Sequence, residues 1–234
     1  SVDRDFFRER GMDVAMLAYA ETYDAHLGLF CAGTRRRKAS LFEGYRLVIG
    51  GEGEQRKWES FIYHINLLHG PNLEEYLRKH LDVGKYLAWL AGAVLTGNED
   101  AFDHNYAVYR DEATRKYAFV PWDYEGSWGR DCYGEPAPAN AVRITGYNRL
   151  TARLMGFPAF RRRYRELLKR ILDEHFREDI LLPVIRTMLE EILPDLGRTG
   201  GNRRPASAAP WELRVIRRYI RERRKCVTDE LGRL

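Results

Sequence analysis

The sequence predicts an α+β fold in which most of the chain is helical and a β-hairpin lies near its middle. Apolar residues recur at spacings of three and four from Trp58 to Leu68, and again through the last third of the chain, a pattern typical of helices. Segments 106–110 and 116–122 are rich in aromatic and β-branched residues and flank a polar turn, which indicates a hairpin. The chain has 234 residues, 44% of them hydrophobic, so it can bury a substantial core.

The first part of the chain is predicted to combine an apolar segment with one strand. Phe6 and Phe7 are expected to pack under the apolar stretch at 12–19. The β-branched run at 45–49 predicts a strand, and the glycine-rich segment 50–53 predicts the hairpin turn that closes it. We prefer a turn to a phosphate-binding loop at 50–53 because no GK[ST] sequence follows it.

Helical spacing begins at Lys57 and continues, with interruptions, to residue 95. Asp82 is placed to cap the helix that is predicted over residues 83–95. That helix is apolar on nearly every face, so we expect it to be buried on all sides. A buried helix is rigid, and it would fix the position of the polar segment 98–105 that follows it.

The remaining chain is predicted to contain a long loop and several helices. Residues 129–147 are rich in Gly, Pro and Asn, and long loops within a compact domain are usually functional. Basic residues dominate the segments 161–165 and 217–225, and we expect them to form solvated outer faces of helices. A linker rich in Gly, Pro and Ser is predicted over residues 198–210.

Composition and charge exclude several classes of protein. The net charge of +5 is too small for binding nucleic acid by charge alone, and each basic segment holds one aromatic residue, so nucleic acid is not an expected partner. The three cysteines, Cys31, Cys132 and Cys226, form neither a disulfide framework nor a CxxC zinc pair, which indicates a reducing compartment. The sequence shows no transmembrane run and no signal peptide, so we expect a cytoplasmic location.

Three polar residues around the predicted hairpin carry the chemical argument. Asp100 and Asn105 stand five positions apart after the buried helix, the spacing at which protein kinases place a proton-accepting Asp and a metal-binding Asn. Asp123 follows the hairpin directly, where a kinase places its magnesium-binding Asp. The spacing alone leaves a structural alternative open, in which Asp100 caps a helix while Asn105 and Asp123 stabilise turns.

Several motifs together resemble the CotH kinase family. They are Asn-x-Asp at 98–100, His-Asn-Tyr at 104–106, and Pro-Trp-Asp-Tyr-Glu-Gly at 121–126. The likeness runs from about residue 45 to the end of the chain and is strongest over 82–129. It implies a divergent protein-kinase-like fold with a mostly helical carboxy-terminal lobe and a catalytic β-hairpin.

The resemblance also implies a division of the chain into two units. Residues 1–56 would be a remnant of the amino-terminal, nucleotide-covering lobe, because full members of the family have more chain ahead of this point. Residues 57–234 would form the helical lobe, with a catalytic loop at 98–105 and a metal loop at 121–129.

The activity that the resemblance implies is transfer of the γ-phosphate of ATP to Ser or Thr of a protein, with Mg²⁺ or Mn²⁺. Asp100 would then be the catalytic Asp, and Asn105 and Asp123 would hold the metal. Glu125 would be a further metal ligand, although the family usually has Asp at this position. The acceptor would be a coat-like or surface protein, with the chain associated with a spore coat.

Two further residues are candidates for binding the cofactor. His104 matches the family's His-Asn pair, and no second His or Cys stands at the spacing of a zinc site. Lys38 is a candidate substitute for the phosphate-binding Lys that the missing part of the lobe would supply.

Three other functions stay open from the sequence. The first is a pseudokinase or a truncated fragment that binds nucleotide and metal without transferring phosphate. The second is a metal-dependent phosphoesterase, since clustered Asp and Asn residues also serve two-metal hydrolysis. The third is a basic binding module that uses the segments 161–165 and 217–225.

Overall fold

A computed structural model describes residues 2–196 and 209–234, and over these residues it contains eight α-helices and one four-stranded antiparallel sheet. The predicted combination of helices with a β-hairpin is confirmed, while the kinase-like details of the fold stay a prediction. The strands are β1 (Val14–Ala20), β2 (Tyr45–Ile49), β3 (Tyr106–Asp111) and β4 (Tyr117–Pro121), in the spatial order β2-β1-β3-β4. The helices are α1 (Arg4–Arg8), α2 (Glu52–Leu67), α3 (Gly70–His80), α4 (Val83–Thr96), α5 (Arg149–Met155), α6 (Pro158–Glu174), α7 (Glu178–Leu196) and α8 (Ala209–Glu230).

The sheet is covered by apolar side chains on both faces, as the alternation of side chains along a strand requires. Tyr106 and Val108 of β3 belong to the main core, which also contains most of α4. Between them Ala107 points to the opposite face, where it joins a smaller cluster with Phe7 and Tyr109. Phe7 is 1% exposed and shares that cluster with Leu17 and Tyr19, so its predicted packing against the stretch 12–19 is confirmed.

The register of the sheet places three chain segments at one edge. Tyr106, the first residue of β3, pairs with both Ala20 at the end of β1 and Pro121 at the end of β4. The residues just before β3 and just after β4 therefore leave the sheet side by side. Segments 98–105 and 121–129, on which the predicted function depends, emerge at this edge.

Helix α4 has the buried character that its sequence predicts. The Asp82 carboxylate accepts a hydrogen bond of 3.0 Å from the backbone N–H of Lys85, which caps the first turn. Nine of the fourteen helix residues are buried. The helix ends at Gly97, whose φ of 72° is the left-handed conformation in which glycine carries no Cβ penalty.

The hairpin turn predicted at the glycine-rich segment 50–53 is wrong. Gly50 turns the chain with a φ of 105°, Gly51 is the N-cap, and α2 begins at Glu52, before the predicted start at Lys57. Strand β2 pairs with β1, which precedes it in the chain. The glycines after β2 therefore lead into α2 and not into a second strand of a hairpin. Glu52 and Glu54 favour the helix because acidic side chains in the first turn interact well with its positive end.

The predicted boundary at residue 56 falls inside α2. Strands from both predicted units also share the single sheet, since β1 and β2 lie on one side of that boundary in sequence and β3 and β4 on the other. The assignment of 1–56 to a nucleotide-covering lobe stays a prediction.

The carboxy-terminal helix α8 differs from its prediction in one residue that matters. Arg223 was expected on the solvated outer face but is 1% exposed, because it shares the inner face with Tyr219 and Val227 at spacings of four. The linker predicted over 198–210 lies outside the described residues except for its last two positions, which begin α8. Among the described helices, none is both long and apolar enough to cross a membrane.

Candidate active site

The catalytic loop predicted at 98–105 starts from a well-formed helix end. The N–H of Gly97 donates to Val94 O at 3.3 Å, and the N–H of Asn98 donates to Ala93 O at 3.0 Å, which closes the last turn of α4. A single 3₁₀ turn over Asp100–Phe102 follows. Its apolar members are fully buried while Asp100 is half-buried, so the turn is anchored in the core with its carboxylate at the surface.

Asn105 and Asp123 share an uncommon backbone conformation. Their φ angles are 53° and 57°, in the left-handed region that non-glycine residues seldom adopt outside sites that constrain them. The N–H of Asn105 donates to Ala20 O at 2.8 Å, which joins it to the end of β1. Asp123 is exposed, two residues after the pair between Tyr106 and Pro121. Both residues therefore lie at the same edge of the sheet.

Two hydrogen bonds tie the segment 121–129 to α4 and to the segment that follows it. The side-chain amide of Asn98 donates to the carbonyl of Asp123 at 3.5 Å, and the N–H of Trp128 donates to Thr96 O at 2.7 Å. A cavity of about 70 Å³ is lined from one side by Asp100 and from the other by Gly126. The structure thus brings Asp100 and the segment after β4 to the walls of one cavity.

The tryptophans of the metal loop pack as structural anchors. Trp122 stacks on Tyr19 of β1 with ring centroids 4.5 Å apart. Trp128 stacks on Phe176 at 6.0 Å and meets Tyr219 edge-on at 6.4 Å. These contacts hold both ends of the segment that carries Asp123.

The segment 98–105 contains three acidic residues, Glu99, Asp100 and Asp103. Burial raises the pKa of Asp103, and the carboxylate of Asp100 raises it further, against the opposing effect of His26 and His104. Burial also raises the pKa of Tyr147, with the nearby acids of the loop adding to the shift. An acidic surface of this kind favours a cation.

His104 is held by an aromatic contact. Its ring lies 4.3 Å from that of Tyr23, at an interplanar angle of 55°. Its Nδ1 atom is buried and finds no hydrogen-bond partner among the residues that the structure describes. The structure places His104 next to Asn105 in the loop, and its cofactor-binding role stays a prediction.

The residue types at this edge, carboxylates and an amide, are those that a hard divalent cation with part of its water shell can use. Asp123 and Glu125 are exposed, and Asn105 contributes an amide at the same edge. Mg²⁺ commonly uses one or two carboxylates and completes its shell with water and phosphate oxygens. Within residues 2–196 and 209–234, the one group of three His, Cys or acidic ligand atoms within 4.8 Å is Asp24, Cys31 and Glu43, so Asp100, Asp123 and Glu125 form no closed carboxylate cage.

Lys38 lies in a different environment from the one predicted for a phosphate ligand. It is 6% exposed, and its ammonium donates to the carbonyl of Asp24. Burial lowers its pKa, while the negative groups of Asp24, Cys31 and Glu43 oppose that shift. Its contacts thus lie within the segment 24–43, and binding of a phosphate by Lys38 stays a prediction.

The sequence prediction missed the support that α8 gives to the site. Tyr219 donates its hydroxyl to Leu95 O at 3.1 Å and packs against both Gly97 and Gly129. Arg223 donates to Val94 O and to the carbonyl of Ala139, each at 2.8 Å. The spacing of four between Tyr219 and Arg223 was the available signal, since it places the arginine on the inner face.

Comparison with known proteins identifies the family. The chain matches the family model described as CotH kinase protein over residues 1–227. It is 36% identical over 232 residues to Inner spore coat protein H of Bacillus subtilis (strain 168), and the match covers 99% of this chain and 64% of that protein. The resemblance inferred from the motifs is confirmed, and it begins at residue 1 rather than near residue 45. The chain belongs to the CotH kinase protein family.

Proposed function

We propose that this chain carries the site for transfer of the γ-phosphate of ATP to Ser or Thr hydroxyls of a protein, with a divalent metal. The observation that supports this most is the link between the two loops, because Asn98 contacts Asp123 while Asp100 lines the cavity beside Gly126. Family membership supports kinase-type chemistry at the same motifs. The chain spans 64% of the Bacillus protein, so the activity of a whole relative is part of the proposal.

In the proposed reaction the hydroxyl oxygen of the acceptor attacks the γ-phosphorus of ATP. A new P–O bond forms as the bond to the β,γ-bridging oxygen breaks, and ADP leaves with that electron pair. Asp100 orients the hydroxyl and takes its proton. Mg²⁺ or Mn²⁺ held by Asp123 and Asn105, with Glu125 as a further ligand, would neutralise charge on the phosphates.

The acceptor in this proposal is a coat protein, and the chain acts in association with a spore coat. The support is the name of the relative, which describes an inner spore coat protein. Asp100 is half-buried, so its carboxylate is partly accessible to an acceptor side chain in this proposal.

Labelling with radioactive ATP tests the proposal. The wild-type chain, incubated with Mn²⁺ or Mg²⁺ and a Ser-containing acceptor, should transfer label to protein. Asp100→Ala should lose at least about a hundredfold in rate while still binding ATP, because it lacks the proton acceptor. Asp123→Ala should lose metal-dependent ATP binding as well. Asp229→Ala, which removes an exposed carboxylate of α8, is the matched control and should label normally.

The other functions give different results in the same assay. Release of inorganic phosphate without labelled protein would identify a phosphoesterase. Binding of ATP and metal with no transfer would identify a pseudokinase or an incomplete fragment. Normal labelling by Asp100→Ala would reject the assignment of the catalytic residue.

A further inference from the structure

We propose that Asn98 is a positioning residue that holds the metal loop in the conformation in which Asp123 can bind the ion, an inference that rests on the proposed function. Asn98 precedes Asp100 in the catalytic loop, yet its side-chain amide reaches the carbonyl of Asp123, 25 positions away in sequence. This hydrogen bond joins the catalytic loop, through the Asn98 side chain, to the backbone of the metal loop.

Asn98 forms three hydrogen bonds, one through its backbone N–H and two through its side chain. Its N–H closes the last turn of α4 on Ala93 O, and its side-chain oxygen accepts from the N–H of Ala101 at 3.2 Å. Its amide nitrogen is then directed to Asp123. The residue is 1% exposed, so an unpaired amide here would be costly, and this burial fixes the side chain in one arrangement.

The contact falls at a residue with an unfavourable backbone conformation. Asp123 has a φ of 57°, a conformation that L-residues adopt at an energetic cost and keep when their surroundings enforce it. The Asn98 amide binds the carbonyl of that same residue. Loss of the contact would let the peptide after Asp123 rotate towards a commoner conformation, and the carboxylate would leave its position for the metal.

The substitution Asn98→Ser separates the two roles of the side chain. Serine still accepts a hydrogen bond from the N–H of Ala101, as at a helix N-cap, but it is too short to reach Asp123 as well. We expect a lower unfolding temperature without metal, since a buried side chain is shortened, but a folded chain at room temperature. Mn²⁺ binding, followed by electron paramagnetic resonance at room temperature, should be five- to tenfold weaker. The metal concentration that gives half the maximal rate of phosphate transfer should rise five- to tenfold. The maximal rate itself should be recovered when the metal is saturating. Asn72→Ser, at an exposed position of α3, is the matched control.

Hydrogen exchange of the metal-free protein gives a readout that does not depend on activity. The Trp128 amide, which bonds to Thr96 O, should exchange at least fivefold faster in Asn98→Ser than in the wild type or in Asn72→Ser. Equal Mn²⁺ affinity in the Asn98→Ser and wild-type chains would overturn the inference. If the wild-type chain binds Mn²⁺ but transfers no phosphate, the proposed function fails. The role of Asn98 is then still tested by comparing the Mn²⁺ affinities of Asn98→Ser and the wild type. If it binds no Mn²⁺, the proposed function fails and exchange at Trp128 decides, with an unchanged rate overturning the role of Asn98.

Discussion

At the scale of single residues, the proposed metal ligands are set apart by their backbone as well as by their chemistry. Asn105 and Asp123 are two of the five non-glycine residues with positive φ in the described part of the chain. Such conformations persist where surrounding contacts enforce them, and they are common at functional sites. Here the enforcing contacts are the bonds from Asn105 to Ala20 and from Asn98 to Asp123.

A residue outside the site gives a pH prediction. The carboxylate of Glu43 accepts from the N–H groups of Ser40 and Ala39 and from Arg36, and these partners lower its pKa from 4.5 to about 2. The Glu43 carboxylate therefore binds a proton more weakly in the folded state than in the unfolded state. The ionised Glu43 stabilises the fold fully above pH 4.5, and this stabilisation is lost as the pH falls to about 2.

Urea unfolding measured across that pH range should thus show a steeper loss of stability in the wild type than in Glu43→Gln, which cannot titrate. Parallel curves for the two proteins would show that Glu43 does not carry the effect. The control is Glu52→Gln, an exposed acid at the start of α2, which should follow the wild type.

At the scale of elements, α4 supports the site and could largely be predicted from the sequence. Its apolar faces and the cap at Asp82 are local signals, and both are found in the structure. The start of α2 could not be predicted in the same way, because the glycines at 50–53 suit a turn and a helix start equally well. Which one forms depends on β2 pairing with β1, a contact between segments that are distant in sequence.

Gly92 within α4 and Gly97 at its carboxy-terminal end give a matched pair of alanine substitutions that test stability. Gly92 lies inside the helix with open space where a Cβ would stand, so Gly92→Ala should raise the free energy of unfolding by about 0.5–1 kcal/mol. Gly97 has a φ of 72°, and an added Cβ would lie 2.3 Å from the Tyr219 hydroxyl, so Gly97→Ala should lower it by at least about 1–2 kcal/mol. Chemical denaturation of both variants checks this, and a neutral Gly97→Ala would contradict the proposed packing of α8 on the helix end.

At the scale of the whole molecule, the site depends on contacts that join distant parts of the chain. The motifs single out Asp100, Asn105 and Asp123 as candidate site residues, by spacing and by resemblance. The spacing of four between Tyr219 and Arg223 was a sign of an inner face on α8, but it does not say which helix that face contacts, and Arg223 looks like one more member of a basic surface run. Its burial follows from α8 packing on α4, a tertiary contact that local sequence patterns do not encode.

The central claim is that Asn105 and Asp123 bind one divalent ion beside Asp100. An anomalous difference map, recorded at the manganese absorption edge from crystals grown with Mn²⁺ and a non-hydrolysable ATP analogue, tests it most directly. We predict a peak about 2 Å from the side-chain oxygens of Asp123 and Asn105, the distance typical of Mg²⁺-like ions. A map without a peak there, or with its manganese at Asp24, Cys31 and Glu43 instead, would contradict the claim.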